Sequence, residues 1–156
     1  MRQIILIMML IFSSNLFALD VKDSNTTVEK KVKRKSLFGK NLVVFISNGD
    51  LQVAGMGLGI ALSGVKQGAN VTVVIGANAI KYALNDGKQN IYFAKGRTPK
   101  ALLQDIIKAG AEVQLCSANT DEMNLDEEDF VEGVKIVIST QIFAKVFEEK
   151  TRVISF

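Results

Sequence analysis

Most of the nucleophilic potential of this chain lies in one thiol. Cys116 is its single cysteine, and none of its 156 residues is histidine. Cys116 ends the run Glu112-Val113-Gln114-Leu115-Cys116, which reads as a short buried strand. A thiolate can attack without an imidazole partner, because it is intrinsically nucleophilic. A cysteine at a strand end can equally be a small apolar filler of the core. The residue types alone leave both readings open. Without histidine there is no Ser-His-Asp triad and no metal site built on imidazole. One cysteine gives neither an internal disulfide nor a cysteine-rich zinc site. No metal and no cofactor is expected.

Around the thiol, the sequence offers small hydrogen-bonding residues at the ends of apolar runs. Cys116 leads into Ser117-Ala118-Asn119-Thr120. An earlier run leads into Ser47-Asn48-Gly49-Asp50, and another into Gly76-Ala77-Asn78. In open α/β sheets ligands bind at the carboxyl ends of strands. Ser117, Asn119, Asn48 and Gly49 are therefore the candidate binding residues beside Cys116. Asn119 and Glu122 have the spacing of a capping box. A helix starting there would turn its positive end towards the thiol and favour the thiolate. The carboxylates of Asp121, Glu122, Asp126, Glu127, Glu128 and Asp129 act in the opposite sense.

A second stretch has the look of a phosphate loop: Gly55-Met56-Gly57-Leu58-Gly59-Ile60-Ala61-Leu62-Ser63-Gly64. Its spacing fails. A dinucleotide fingerprint from Gly55 needs glycine where Ile60 stands, and a P-loop from Gly59 needs lysine where Val65 stands. The better reading is a helix with a stripe of small residues that lets it pack closely on a sheet or a neighbouring subunit.

The elements that must position these residues are legible from 41 onward. Leu42-Val43-Val44-Phe45-Ile46, Val71-Thr72-Val73-Val74-Ile75, Val113-Gln114-Leu115-Cys116, Val134-Lys135-Ile136-Val137-Ile138 and Arg152-Val153-Ile154-Ser155-Phe156 are short strand-like runs. Their apolar character predicts strands covered on both faces. Helical patterns lie between them, over 51–67, 77–84, 98–109 and 140–149. Pro99 near the start and Gly110 just past the end mark the third of these. Ser139 or Thr140 is suited to cap the fourth. Strand-helix alternation predicts a three-layer α/β/α fold on a mainly parallel five-stranded sheet.

Composition sets the outer limits. The length suits one compact domain. An aromatic share of 7% without tryptophan argues against a stacking platform for nucleic acid. The net charge of +3 is unevenly spread: residues 41–156 hold 11 basic and 13 acidic side chains, a net −2. The excess of cations lies in 19–40, read as a flexible leader. Residues 1–18 carry Arg2, an unbroken apolar run from Ile4 to Phe12, and Ala18 as a cleavage position, the layout of a signal peptide. The run is too short to span a membrane. Export to a periplasm is expected, with no integral span after cleavage. An unpaired thiol in an oxidising compartment favours a functional one.

The chain from 41 to 156 resembles the DsrE/DsrF-like family. The residues that carry the likeness are Thr98-Pro99-Lys100, the run from Ile107 through Gly110 and Val113 to Cys116, then Leu125, Glu128-Asp129-Phe130 and Gly133-Val134-Lys135-Ile136-Val137. The resemblance implies that Cys116 accepts and passes a persulfide sulfur, with a sulfur donor or acceptor protein as partner. It also implies a homo-oligomer, a trimer or hexamer, with the thiol near a subunit boundary. Where some relatives carry Cys-x-x-Cys, Asn119 takes the second place, so internal dithiol chemistry is absent. The alternative is a non-catalytic module that binds a small molecule or a partner, with Cys116 buried in the core.

Overall fold

The computed structural model describes residues 36–85 and 96–156. The expected signal peptide and most of the basic leader lie outside them. Five strands form one sheet in the order β4-β3-β2-β1-β5. They are β1 (Asn41–Ile46), β2 (Asn70–Ile75), β3 (Glu112–Cys116), β4 (Val134–Val137) and β5 (Thr151–Ser155). Every pairing is parallel. The helices are α1 (Leu51–Lys66), α2 (Pro99–Lys108), α3 (Ser117–Glu122) and α4 (Ser139–Val146). A 3-10 helix spans Ala77–Tyr82 between β2 and α2.

The helix boundaries follow from local chemistry. Asp50 caps α1, its carboxylate accepting from the N–H groups of Gln52 and Val53 at 2.9 and 3.0 Å. Thr98 caps α2 by accepting from Ala101 N–H at 3.1 Å, and Pro99 fills the first turn, where its missing N–H costs nothing. Gly68 and Gly110 follow the ends of α1 and α2 with φ of +90° and +98°, a conformation glycine adopts without strain. The expected helix over 77–84 is a 3-10 helix instead, begun by Ala77 in a left-handed conformation. In α4 neither Ser139 nor Thr140 serves as the cap: Ile138 holds that position, and its N–H donates to the Gln141 side chain at 3.1 Å.

Strand alternation divides the sheet into two unequal faces. Val44, Ile46, Val71, Val73, Ile75, Val113 and Leu115 point into the larger core, with Ala54, Leu58 and Ala61 of α1 and Leu103 and Ile106 of α2 against them. Small residues let α1 approach the sheet. A Cβ on Gly57 would lie 3.0 Å from the Phe156 ring and 3.2 Å from Ile46, and one on Gly64 would lie 3.0 Å from Leu42. The other face carries Val43, Val74 and Val137, covered by Ile142 of α4, with Phe45, Cys116 and Val146 at the margin.

Helices lie on both sides of the sheet, as the three-layer expectation has it, but the second face is thinly roofed. The helix α4 has 8 residues, and it leaves Ile138, Phe143, Phe147 and Val153 at 47–79% exposure. Phe143 and Phe147 stack with ring centres 6.1 Å apart. Four of the five residues of β5 are exposed, because it is an edge strand. Among the described residues no helix is long and apolar enough to cross a membrane.

Candidate functional site

The strand order makes β1, β2 and β3 neighbours, so their carboxyl ends form one continuous rim. Cys116 sits there as the last residue of β3, on the face covered by α4, and it is a half-buried free thiol. It lines an apolar cavity of about 250 Å³ together with Phe45, Ser47, Ala77, Asn119 and Ile142. Three strand ends and α4 thus contribute to one depression around the sulfur.

Cys116 is also the residue at which the backbone turns from strand into helix. It occupies the N-cap position of α3 with an extended conformation (φ −75°, ψ 123°). The helix therefore begins at Ser117, three residues before the start that an Asn119 cap would give. Asn119 lies inside α3 and caps nothing. Its Oδ1 accepts the backbone N–H of Ala77 at 3.2 Å. Ala77 is held at φ +47°, which an L-residue rarely adopts, and Gly76 before it packs closely on Asn119: a Cβ there would be 3.0 Å from Asn119 Oδ1. The bond locks the loop after β2 against the helix after β3, which fixes one wall of the cavity. Ser117 is half-buried beside the thiol in sequence, and its carbonyl accepts from the Thr120 hydroxyl at 3.0 Å. Thr120 is fully buried and anchors the short helix.

Of the other candidates, Asn48 and Gly49 stand on the same rim outside the cavity lining. The Asn48 side chain accepts from Asp50 N–H at 2.8 Å, which shapes the turn into α1. The Gly49 carbonyl accepts from the Tyr82 hydroxyl at 2.6 Å, and a Cβ on Gly49 would lie 2.8 Å from Asn78 Cβ. These two residues build the junction between α1 and the 3-10 helix. Burial and the nearby Asp50 carboxylate push the Tyr82 phenol above its ordinary range. The loop Gly76-Ala77-Asn78 is among those the sequence places on this rim, whereas nothing in the sequence marks Phe45 or Ile142 as cavity residues; Ile142 comes from a helix of another layer.

The acidic segment after Cys116 faces outward. Asp121, Glu122 and the residues from Asp126 to Asp129 are exposed. Along the same face of β3, Glu112 and Gln114 precede Cys116 at alternate positions. Glu112 meets Lys145 at 3.0 Å and Lys135 at 3.7 Å. Burial raises its carboxyl pKa, but hydrogen bonds with Lys145 and Gln114 and the two lysine charges outweigh that and hold it below the ordinary value. Gln114 is 2% exposed, and among the described residues its Oε1 is the buried side-chain oxygen without a hydrogen-bond donor. Among the described residues no three metal-ligating side chains converge.

A parallel five-stranded sheet with helices on both sides and a cysteine at a central strand end defines a class of small α/β protein. The model of the DsrE/DsrF-like family matches residues 40–156, and the chain belongs to that family, which is associated with sulfur relay. Solved structures share the fold. The ychN protein of E. coli is 17% identical, with a TM-score of 0.64 over 75% of this chain and 98% of its own. A protein of unknown function from Methanobacterium thermoautotrophicum is 15% identical, with a TM-score of 0.55 over 75% of this chain and 99% of its own. A conserved protein of unknown function from Bacteroides thetaiotaomicron is 10% identical, with a TM-score of 0.58 over 75% and 95%. No curated protein matches the chain.

Proposed function

We propose that this protein is an exported, periplasmic member of the family that carries sulfane sulfur on Cys116. The observation that carries the reading is the half-buried thiol at the end of a central strand, opening into an apolar cavity of about 250 Å³. The Cys116 thiolate attacks the outer sulfur of a donor persulfide. The donor S–S bond breaks, the donor leaves as a thiolate, and Cys116 becomes a persulfide. An acceptor thiolate then attacks that outer sulfur and releases Cys116 as a thiolate. Sulfur changes carrier without net oxidation, so one cysteine suffices and no second thiol is needed at Asn119. An apolar surround suits this cargo, since it keeps water and stray oxidants from the persulfide.

The assembly proposed is a homo-oligomer, a trimer or hexamer, in keeping with the family resemblance. The exposed Phe143, Phe147 and Val153 on the thinly covered face of the sheet support it, since apolar surface of this kind marks interaction sites. Export rests on the signal-peptide pattern of residues 1–18. The test of the sulfur chemistry is intact-mass spectrometry after exposure to a sulfane-sulfur donor. One added sulfur, absent in Cys116→Ser and removed by a small thiol, is the expected result. No addition, or equal addition to Cys116→Ser, sinks the proposal.

A further inference from the structure

At the opposite end of the sheet from Cys116, the amino ends of β1, β2 and β5 surround a second cavity of about 340 Å³. Its lining has an apolar part, Leu37, Leu42 and Ala69, and a cationic part, Lys40, Lys150 and Arg152. Among the described residues no carboxylate belongs to the lining. The contrast with other cations in the molecule is informative. Arg97, Lys135 and Lys145 each pair with a carboxylate, whereas among the described residues Lys40, Lys150 and Arg152 pair with none.

The three cations are held together by the backbone. Lys40 and Lys150 immediately precede β1 and β5, and Arg152 is paired with Leu42 in the β1–β5 register. Asn41 N–H donates to the Lys150 carbonyl at 3.4 Å, and Asn70 N–H to the Lys40 carbonyl at 2.9 Å. Leu37 is tied to the end of α1 by its N–H on the Gln67 carbonyl at 2.9 Å. Two uncharged polar side chains complete the lining and are partly engaged: Asn41 Nδ2 donates to the Glu149 carbonyl and its Oδ1 accepts from Asn70, and the Ser36 hydroxyl oxygen accepts the Phe38 N–H. The charge of a ligand is met by the cations and its carbon chain by the apolar floor. Three positive charges over a low-dielectric floor focus a field that attracts an anion. The guanidinium of Arg152 suits a phosphate oxygen pair. The volume is that of a small ligand site, at the lower end of the usual range of about 300–1,000 Å³.

We propose that this cavity binds an alkyl phosphate, its head on Lys40, Lys150 and Arg152 and the first carbons of its chain on Leu37, Leu42 and Ala69. The same chemistry is presented by a free alkyl phosphate and by the headgroup of an anionic phospholipid. The site is remote from Cys116 and does not depend on its sulfur chemistry.

The experiment is calorimetric titration of the full chain with octyl phosphate below its micelle concentration, beside inorganic phosphate. The expected result is saturable 1:1 binding of octyl phosphate that weakens with salt. It should be at least tenfold tighter than inorganic phosphate, because burying about two methylenes already supplies that factor. Arg152→Glu and Lys40→Glu should each weaken it at least tenfold. Both side chains are exposed, so both variants should keep the thermal midpoint of the parent. Vesicle sedimentation identifies the source. If phosphatidylglycerol vesicles bind the parent more strongly than Arg152→Glu, and octyl phosphate competes, the ligand is a lipid headgroup. If the two proteins bind vesicles alike while octyl phosphate binding differs, it is a free alkyl phosphate. The leader cations are present in both proteins, so the difference reads the cavity. Absence of saturable octyl phosphate binding overturns the proposal. So does binding untouched by both charge reversals, or inorganic phosphate bound as tightly.

Discussion

Asn119 Oδ1 accepts the backbone N–H of Ala77 at 3.2 Å, across 42 residues of sequence. This one bond joins the loop after β2 to the helix after Cys116. Ala77 lies at φ +47°, so the bond helps to hold a conformation that costs an L-residue about 1–2 kcal/mol. Asn119→Ala removes the acceptor and should lower stability by about 1 kcal/mol in urea unfolding. Asn119→Asp keeps an acceptor at the same place and should restore most of the loss. Ala77→Gly should raise stability, since glycine takes the left-handed conformation without strain. A loss in Ala77→Gly would show that the loop is held by something other than this geometry.

Two glycines of α1 separate close packing from simple tolerance. A Cβ on Gly59 would meet nothing within 4 Å, whereas one on Gly57 would press on Phe156 and Ile46. Gly59→Ala should stabilise by about 1 kcal/mol through helix propensity alone. Gly57→Ala starts with the same gain but must displace the Phe156 ring or Ile46, and its net effect should be destabilising. Thermal midpoints of the two variants check the pair. Equal shifts would mean that α1 is not seated by its small residues.

What the sequence disclosed and what it hid divide along the range of the interaction. The alternation of apolar strands with helices was legible because its signals are local, such as Pro99 at a helix start and Gly110 at a helix end. The cysteine at the end of β3 was legible for the same reason. The partner of Asn119 was not, because a capping pattern is a statement about neighbours and Ala77 is far off in sequence. The exposure of β5 was hidden as well. Arg152-Val153-Ile154 reads as a strand, but its place at the sheet edge is a property of strand order, which no local run of residues encodes. Ile142 joined the thiol cavity for a like reason, since it arrives from a helix of another layer.

The Glu112 cluster should give a defined acid response. The folded carboxyl has a pKa held below the ordinary 4.5. A lowered carboxylate pKa stabilises the fold above the unfolded value, and that contribution disappears as the pH falls through the folded value. Glu112→Gln should therefore lose stability relative to the parent at pH 7, by about 0.5–1 kcal/mol for a partly exposed pair. The gap between the two proteins should close as the pH drops below 4.5. Lys145→Met should mimic the loss more closely than Lys135→Met, because Lys145 is the nearer cation, 3.0 against 3.7 Å. A gap that stays constant from pH 7 to pH 3 would remove Glu112 as the titrating group.

Ile142, which is 8% exposed, lines the apolar cavity beside Cys116 from the α4 side. Ile142 also packs on Val43, Val74 and Val137, so its truncation acts on stability and on access together. Ile142→Ala should destabilise by about 2–4 kcal/mol, as large-to-small changes in a core do. It should also speed alkylation of Cys116 by a small reagent severalfold under fully native conditions. Global unfolding could produce the second effect trivially, so a control of similar stability loss is needed far from the thiol. Leu103→Ala in the core beneath α2 serves, because Leu103 is fully buried on the other face of the sheet. Faster labelling in Ile142→Ala than in Leu103→Ala at matched stability would identify Ile142 as the wall of the cavity. Equal rates would mean that the thiol is reached through general opening, and the cavity beside Ile142 would not be the route by which a persulfide donor arrives.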